Sequence, residues 1–144
     1  MTTASLFGLH GAARAQTAVA QTVAALPGTA EIAKLLAGRT AKPGGITLDV
    51  PAIAENGLVV PLTVDVASPM TDADYVKVVH VVAEGNPNPL VASFHFTPAS
   101  GRPAASIRIR VAQTQNIVVI AETSTGALHM ASAEVKVTIG GCGG

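Results

Sequence analysis

The chain has 144 residues, the size of one ordinary domain, which excludes a second catalytic lobe. Nine basic and nine acidic side chains cancel to a formal net charge of zero, so the electrostatic footprint of a nucleic-acid or anionic-membrane binder is missing. Charged residues make up 12% of the chain and apolar ones 49%, with a mean hydropathy of +0.46; so little charge leaves apolar surface that a partner subunit is expected to cover.

Residues 1–15 end in Ala13-Arg14-Ala15, a small-x-small pattern suited to signal peptidase, but they lack a basic start and their apolar run is interrupted by His10. They read either as the remnant of an export signal or as a disordered Ala-rich leader. Residues 16–45 form a helical segment. In it Val19, Val23 and Leu26 recur at helical spacing up to a stop at Pro27-Gly28. A second short helix then runs from Thr29 as N-cap to Gly38, with Ile32, Leu35 and Leu36 on one face and Glu31 near its positive end.

From residue 46 to residue 139 the pattern turns to β. Segments rich in β-branched residues lie at Ile46–Val50, Leu58–Val66, Tyr75–Ala83, Leu90–Phe96, Ala104–Val111, Asn116–Glu122 and Ala127–Ile139, separated by Gly, Pro, Asn and Asp clusters. About seven strands without intervening helices predict an all-β, immunoglobulin-like antiparallel sandwich, held without a disulfide because the chain has one Cys. Ser106-Ile-Arg-Ile-Arg-Val111 alternates, which sends Ile107, Ile109 and Val111 inward and Arg108 and Arg110 outward. Val76–Val82 and Val118–Ala121 are instead apolar on both faces, so their outer face must be covered, by a docked subunit or by the N-terminal helices.

Conventional enzyme motifs are missing: there is no H-E-x-x-H, CxxC pair, G-x-S-x-G elbow, P-loop or dinucleotide fingerprint. Asp72 and Asp74 lack the further oxygen ligands of a calcium site and read as turn residues. His80, His95 and His129 fall in separate strands; with Cys142 they contain the raw inventory of a mononuclear iron enzyme, but strand histidines are more often packing residues. No resident cofactor or metal is expected.

Residues 140–144 read Gly-Gly-Cys-Gly-Gly, so four glycines flank the lone cysteine. Without Cβ atoms, Gly140, Gly141, Gly143 and Gly144 predict a flexible arm that carries the Cys142 sulfur roughly 10 Å beyond Ile139. Nothing in the tail supplies a cation or helix N-terminus to lower the thiol pKa, and the terminal carboxylate opposes ionisation. Cys142 is therefore read as a passive covalent carrier acted on by partner enzymes, rather than as a nucleophile of its own. The alternative is an exported immunoglobulin-like structural module, a homodimer linked by disulfide through Cys142.

The terminal pentapeptide, following the strand Ala133–Ile139, resembles the C-terminus of the SoxY family, the sulfur carrier subunits of the Sox thiosulfate-oxidation system. The likeness extends through Thr114–Ile117, Phe94–Pro98, His80–Pro87, Ser68–Met70 and Pro51–Gly57, roughly from Leu35 onward. SoxY proteins resemble twin-arginine export substrates, whereas residues 1–15 contain no Arg-Arg pair. The resemblance implies a non-catalytic, periplasmic carrier with Cys142 as the site of covalent sulfur attachment and SoxZ as the heterodimer subunit. It further implies three visiting enzymes: SoxAX conjugates thiosulfate to the cysteine, SoxB releases sulfate, and SoxCD, where present, oxidises the remaining sulfur.

Overall fold

A computed structural model describes residues 25–139. Helix α1 spans Pro27–Leu36, followed by β1 (Lys42–Pro43), β2 (Ile46–Asp49), β3 (Ile53–Asn56), β4 (Val60–Val66), β5 (Val76–Ala83), β6 (Leu90–His95), β7 (Ala104–Ile109), β8 (Gln115–Thr123) and β9 (Leu128–Ile139). A 3₁₀ turn at Pro98–Ser100 links β6 to β7, closed by reciprocal Thr97 and Ser100 caps. Arg102 in the same loop reaches back to pair with Asp65. Asp72 and Asp74 sit in a turn closed by paired Thr71 and Asp74 backbone hydrogen bonds at 2.9 and 3.2 Å.

Two sheets pack face to face. One runs β1-β9-β8-β5-β6 with β3 also on β9, the other β2-β4-β7. Strict alternation in β4 buries Val60, Leu62, Val64 and Val66, which meet Val79, Val81, Ile117, Val119 and Val135 from the larger sheet. The sequence-predicted inward set of β7 and its sequel holds: Ile109 and Val111 are buried and Ile107 packs partly against them. All seven predicted strands are present, their ends within two residues of expectation.

Three features correct the sequence reading. First, the sandwich is not wholly antiparallel: β1 and β3 both run parallel to β9, along its free edge. They are too short, and too rich in Pro, Ala and polar residues, to show an alternating pattern, and β1 lies inside the segment read as helical. Second, Pro27-Gly28 opens α1 instead of stopping a helix: Pro27 takes the first helical position, where its missing N–H removes nothing, and Leu26 stands at the N-cap in place of Thr29. Glu31 accordingly falls in the second turn, 3.9 Å from Lys34, and the helix ends on left-handed Ala37, one residue before Gly38. The expected helix over Val19 and Val23 lies outside the described residues.

Third, of the two expected covers for the outer face of β5 and β8, the helix is the one observed. Val82, Val118, Ile120 and Leu128 form a second buried cluster beneath Ile32, Leu35, Leu36 and Ala41. The helix can lie this close because Gly28 meets Glu84 backbone to backbone: its N–H donates to the Glu84 carbonyl at 2.9 Å, and an added Cβ would stand 2.4 Å from Glu84 Cα. Beyond the helix, Glu122 accepts from Arg39 (3.2 Å) and Lys77 (2.8 Å), and these bonds hold its carboxyl below the usual range against the opposing effect of burial.

Candidate functional site at the root of the C-terminal arm

Cys142 and the four glycines Gly140, Gly141, Gly143 and Gly144 lie outside the described residues. The described chain reaches Ile139, the last residue of β9 and the point from which that segment departs. Both sides of this strand end are tied down. On the β3 side, Lys136 N–H donates to the Ala52 carbonyl (2.9 Å), Thr138 Oγ1 to the Glu55 carbonyl (3.2 Å), and Gly57 N–H to the Ile139 carbonyl (3.0 Å). On the β8 side, Val137 N–H donates to Thr114 Oγ1 at 3.0 Å, past the last Gln115–Val135 pair of the ladder. Gly57 also accepts from Val111 N–H at 2.7 Å, so the β3–β4 turn bridges β9 to the loop after β7.

Beneath that loop sits a buried amide pair. Asn86 and Gln115 are each 6% exposed in an otherwise aliphatic interior, where an unpaired amide would be costly, and both are satisfied. Asn86 Nδ2 donates to the Arg110 carbonyl at 2.7 Å, while Asn86 Oδ1 accepts from Ala112 N–H and from Gln115 Nε2, each at 2.9 Å. Gln115 Nε2 also donates to the Gln113 carbonyl (3.0 Å), and its Oε1 accepts from Gly85 N–H (2.7 Å). A Cβ on Gly85 would stand 3.0 Å from Nε2 of the exposed Gln113 side chain and 3.4 Å from Gln115 Cβ, a close fit of the turn against β8. Asn116 Nδ2 then donates to Glu84 Oε2 at 3.1 Å. The network fixes the 84–87 turn against the 110–116 segment and so makes a rigid seat for the end of β9.

The histidines do not assemble. His80 and His95 lie on the outer face of β5 and β6, with His80 Nδ1 2.7 Å from Ser93 Oγ. His129 pairs with Ala121 on the opposite, core-facing side of the sheet, its Nδ1 buried without a hydrogen-bond partner. Burial first, then the charge of His95, pushes the His80 pKa down, with Glu122 and Glu31 pulling the other way. Among the described residues no three His, Cys, Asp or Glu side chains gather where they could hold a metal ion. A surface hollow of about 250 Å³ on β4 and β7 is lined by Pro61, Thr63, Ser106 and Arg108, with the two hydroxyls bonded to each other at 2.9 Å and no nucleophile–base pair.

The family description "Sulfur oxidation protein SoxY" matches residues 32–142, a stretch that includes the arm root, both amides and Cys142. The chain belongs to the SoxY family. The structure of the sulfur carrier protein SoxY from Chlorobium limicola f thiosulfatophilum is similar at 35% identity and TM-score 0.64, covering 77% of this chain and 96% of that one. The superoxide reductase (neelaredoxin) from Ignicoccus hospitalis shares the fold at 19% identity and TM-score 0.58, with 65% and 80% of the two chains covered. A putative superoxide reductase from Thermotoga maritima does so at 14% identity and TM-score 0.57, with 69% and 95% covered. At such identities the reductases share architecture and no more. No protein of curated function matches the sequence. Family membership and the SoxY structural match support a sulfur carrier role in the Sox system. Of the segments through which the likeness extends, Pro51–Gly57 and Thr114–Ile117 bond directly to the last residues of β9, and the turn of His80–Pro87 is tied to Gln115 through Gly85; Ser68–Met70 and Phe94–Pro98 lie elsewhere. Asn86, in the turn after β5, and Gln115, the first residue of β8, fell within the family-like segments His80–Pro87 and Thr114–Ile117, but nothing in the sequence paired the two amides.

Proposed function

We propose that this chain carries sulfur intermediates covalently on Cys142, presented on the Gly140–Gly144 segment as a swinging arm. The observation that carries the reading is the fixed strand end. Ile139 is held by Gly57, and β9 by Ala52, Glu55 and Thr114, while the reactive sulfur follows three residues later. Three residues span at most about 10 Å, so a rigid root and a short tether deliver the thiol to a defined shell of space. That is the division of labour a shared carrier needs.

In the first step the outer sulfur of thiosulfate bonds to Cys142 Sγ, the thiol proton is released, and two electrons pass to an oxidant. In this system that oxidant is the c-type cytochrome enzyme SoxAX. Water then cleaves the sulfur–sulfonate bond under SoxB, releasing sulfate and leaving a persulfide on Cys142, which SoxCD oxidises where it is present. The carrier stays non-catalytic, works as a heterodimer with SoxZ in the periplasm, and needs no cofactor of its own. The test is replacement of Cys142 by Ser in cells oxidising thiosulfate. The protein should accumulate and melt as the parent does while thiosulfate consumption stops. Continued consumption would remove the cysteine from the pathway. Stiffening the tether with Gly141→Pro should slow transfer without altering stability, and unchanged transfer would show that the swing is dispensable.

A further inference from the structure

The outer face of the smaller sheet carries a hollow of about 250 Å³ whose walls come from two paired rows of β4 and β7, Pro61 opposite Arg108 and Thr63 opposite Ser106. All four residues are exposed and stand two apart on their strands, so they share one face, while Leu62 and Ile109 turn into the core. Thr63 Oγ1 and Ser106 Oγ lie 2.9 Å apart and share one hydrogen bond, which leaves one of the two hydroxyl protons for another acceptor. Arg39 and Arg102 are paired, with Glu122 and Asp65, whereas no carboxylate among the described residues pairs with Arg108. An unpaired guanidinium beside a spare hydroxyl donor is the donor set that a sulfonate or sulfate oxygen asks for. Asp49, the acid that lines the adjoining hollow, lies opposite Thr63 on the β2 side, away from Arg108.

We propose that this hollow is the resting site of the loaded arm: Arg108, with the Thr63–Ser106 hydroxyl pair, holds the terminal sulfonate of the thiosulfate adduct on Cys142. The inference rests on the carrier reading and adds where the adduct waits between enzymes. Reach and charge set the occupant. The Ile139 carbonyl accepts from Gly57 N–H, and Pro61 follows Gly57 by four residues, at most about 14 Å of chain. Cys142 follows Ile139 by three residues, about 10 Å, and its side chain with the two added sulfurs lengthens the arm by roughly 6 Å. The adduct ends in a permanent anion and the bare thiol does not, so the hollow tells a loaded arm from an empty one. When water cleaves the sulfur–sulfonate bond, the anion departs as sulfate and the hold on the arm ends.

The test uses the full-length chain bound to SoxZ. Tetrathionate loads Cys142 without an enzyme: the thiolate attacks one inner sulfur, forms a disulfide bond to it, and expels thiosulfate with the electron pair of the broken sulfur–sulfur bond. A matched sample is capped with iodoacetamide, which leaves a neutral group on the same sulfur. On loading, the NMR resonances of Arg108 Nε–H and of the Thr63 and Ser106 amides should shift; the neutral cap should leave them in place, and about 0.5 M salt should reverse most of the shift. Arg108→Gln, checked for an unchanged melting profile, should lose the Thr63 and Ser106 shifts. Arg102→Gln, the same charge change at an arginine already paired with Asp65, should keep them. Shifts confined to residues around Ile139 overturn the resting site and leave the carrier reading standing. So do equal shifts with the neutral cap, or equal losses in the two arginine variants. A Cys142 that takes no sulfonate-bearing sulfur from tetrathionate contradicts the carrier reading, and the resting site falls with it.

Discussion

Asn86→Ala tests whether the buried amide network builds the seat of the arm. The substitution removes three hydrogen bonds, to the Arg110 carbonyl and from Ala112 N–H and Gln115 Nε2. At roughly 1 kcal/mol net for each, the loss is about 3 kcal/mol; water reaching the half-buried Ala112 N–H lowers it toward about 2 kcal/mol. For a chain of this size that is a fall in Tm of about 10 °C. Gln115 Nε2 keeps its bond to the Gln113 carbonyl, so Gln115→Ala and Asn86→Ala together should cost less than the sum of the two, because the shared bond is lost only once. Urea denaturation followed by far-UV circular dichroism gives the free energies, and amide exchange reports the Ala112 N–H directly. Stability within about 0.5 kcal/mol of the parent, or undiminished protection at Ala112, would refute the reasoning.

Ile120→Ala, at a site 1% exposed beneath α1, should lose about 2–5 kcal/mol in the same urea assay; a loss under 1 kcal/mol would mean that the helix collapses onto the gap or was never seated there. Gly28→Ala should lift the helix from Glu84 and raise binding of a hydrophobic dye as Val82 and Val118 become exposed, whereas unchanged dye binding would contradict the tight approach. Stability should also fall in two acid windows. Folded His80 favours its neutral form, so the unfolded chain takes up protons first and stability declines as pH drops below about 6.5, levelling off once folded His80 titrates. Glu122, held low by Arg39 and Lys77, adds a second decline that starts below about pH 4.3 and ends as its folded form titrates. Urea midpoints across pH should show the upper decline vanish in His80→Gln, and a decline unchanged in that variant would assign it elsewhere.

The strands were legible because β-branched runs broken by turn residues are a local signal, and Val60–Val66 or Ala104–Ile109 need no tertiary context to be read. The start of α1 was misread because Pro-Gly punctuates a chain in both directions: Pro27 can begin a helix as readily as follow one, and which applies depends on Gly28 meeting Glu84, 56 residues away in sequence. The parallel edge strands β1 and β3 escaped notice because their only role is to pair with β9, and residues such as Lys42-Pro43 carry no pattern that says so. The double-faced apolarity of β5 and β8 correctly demanded a cover, but sequence could not choose between helix and partner. At the site, the Gly-rich cysteine segment announced itself, whereas Asn86, Gln115 and Thr114 matter through contacts made only in the folded chain.

Peptide-level mass measurement of the intact protein, taken without reductant from cells caught in the act of oxidising thiosulfate, bears most directly on the central claim. Cys142 should hold a population bearing one added sulfur, with or without a terminal sulfonate, that disappears on treatment with a thiol reductant. A wholly unmodified Cys142 under those conditions, or one found only as a disulfide between two copies, would contradict the account.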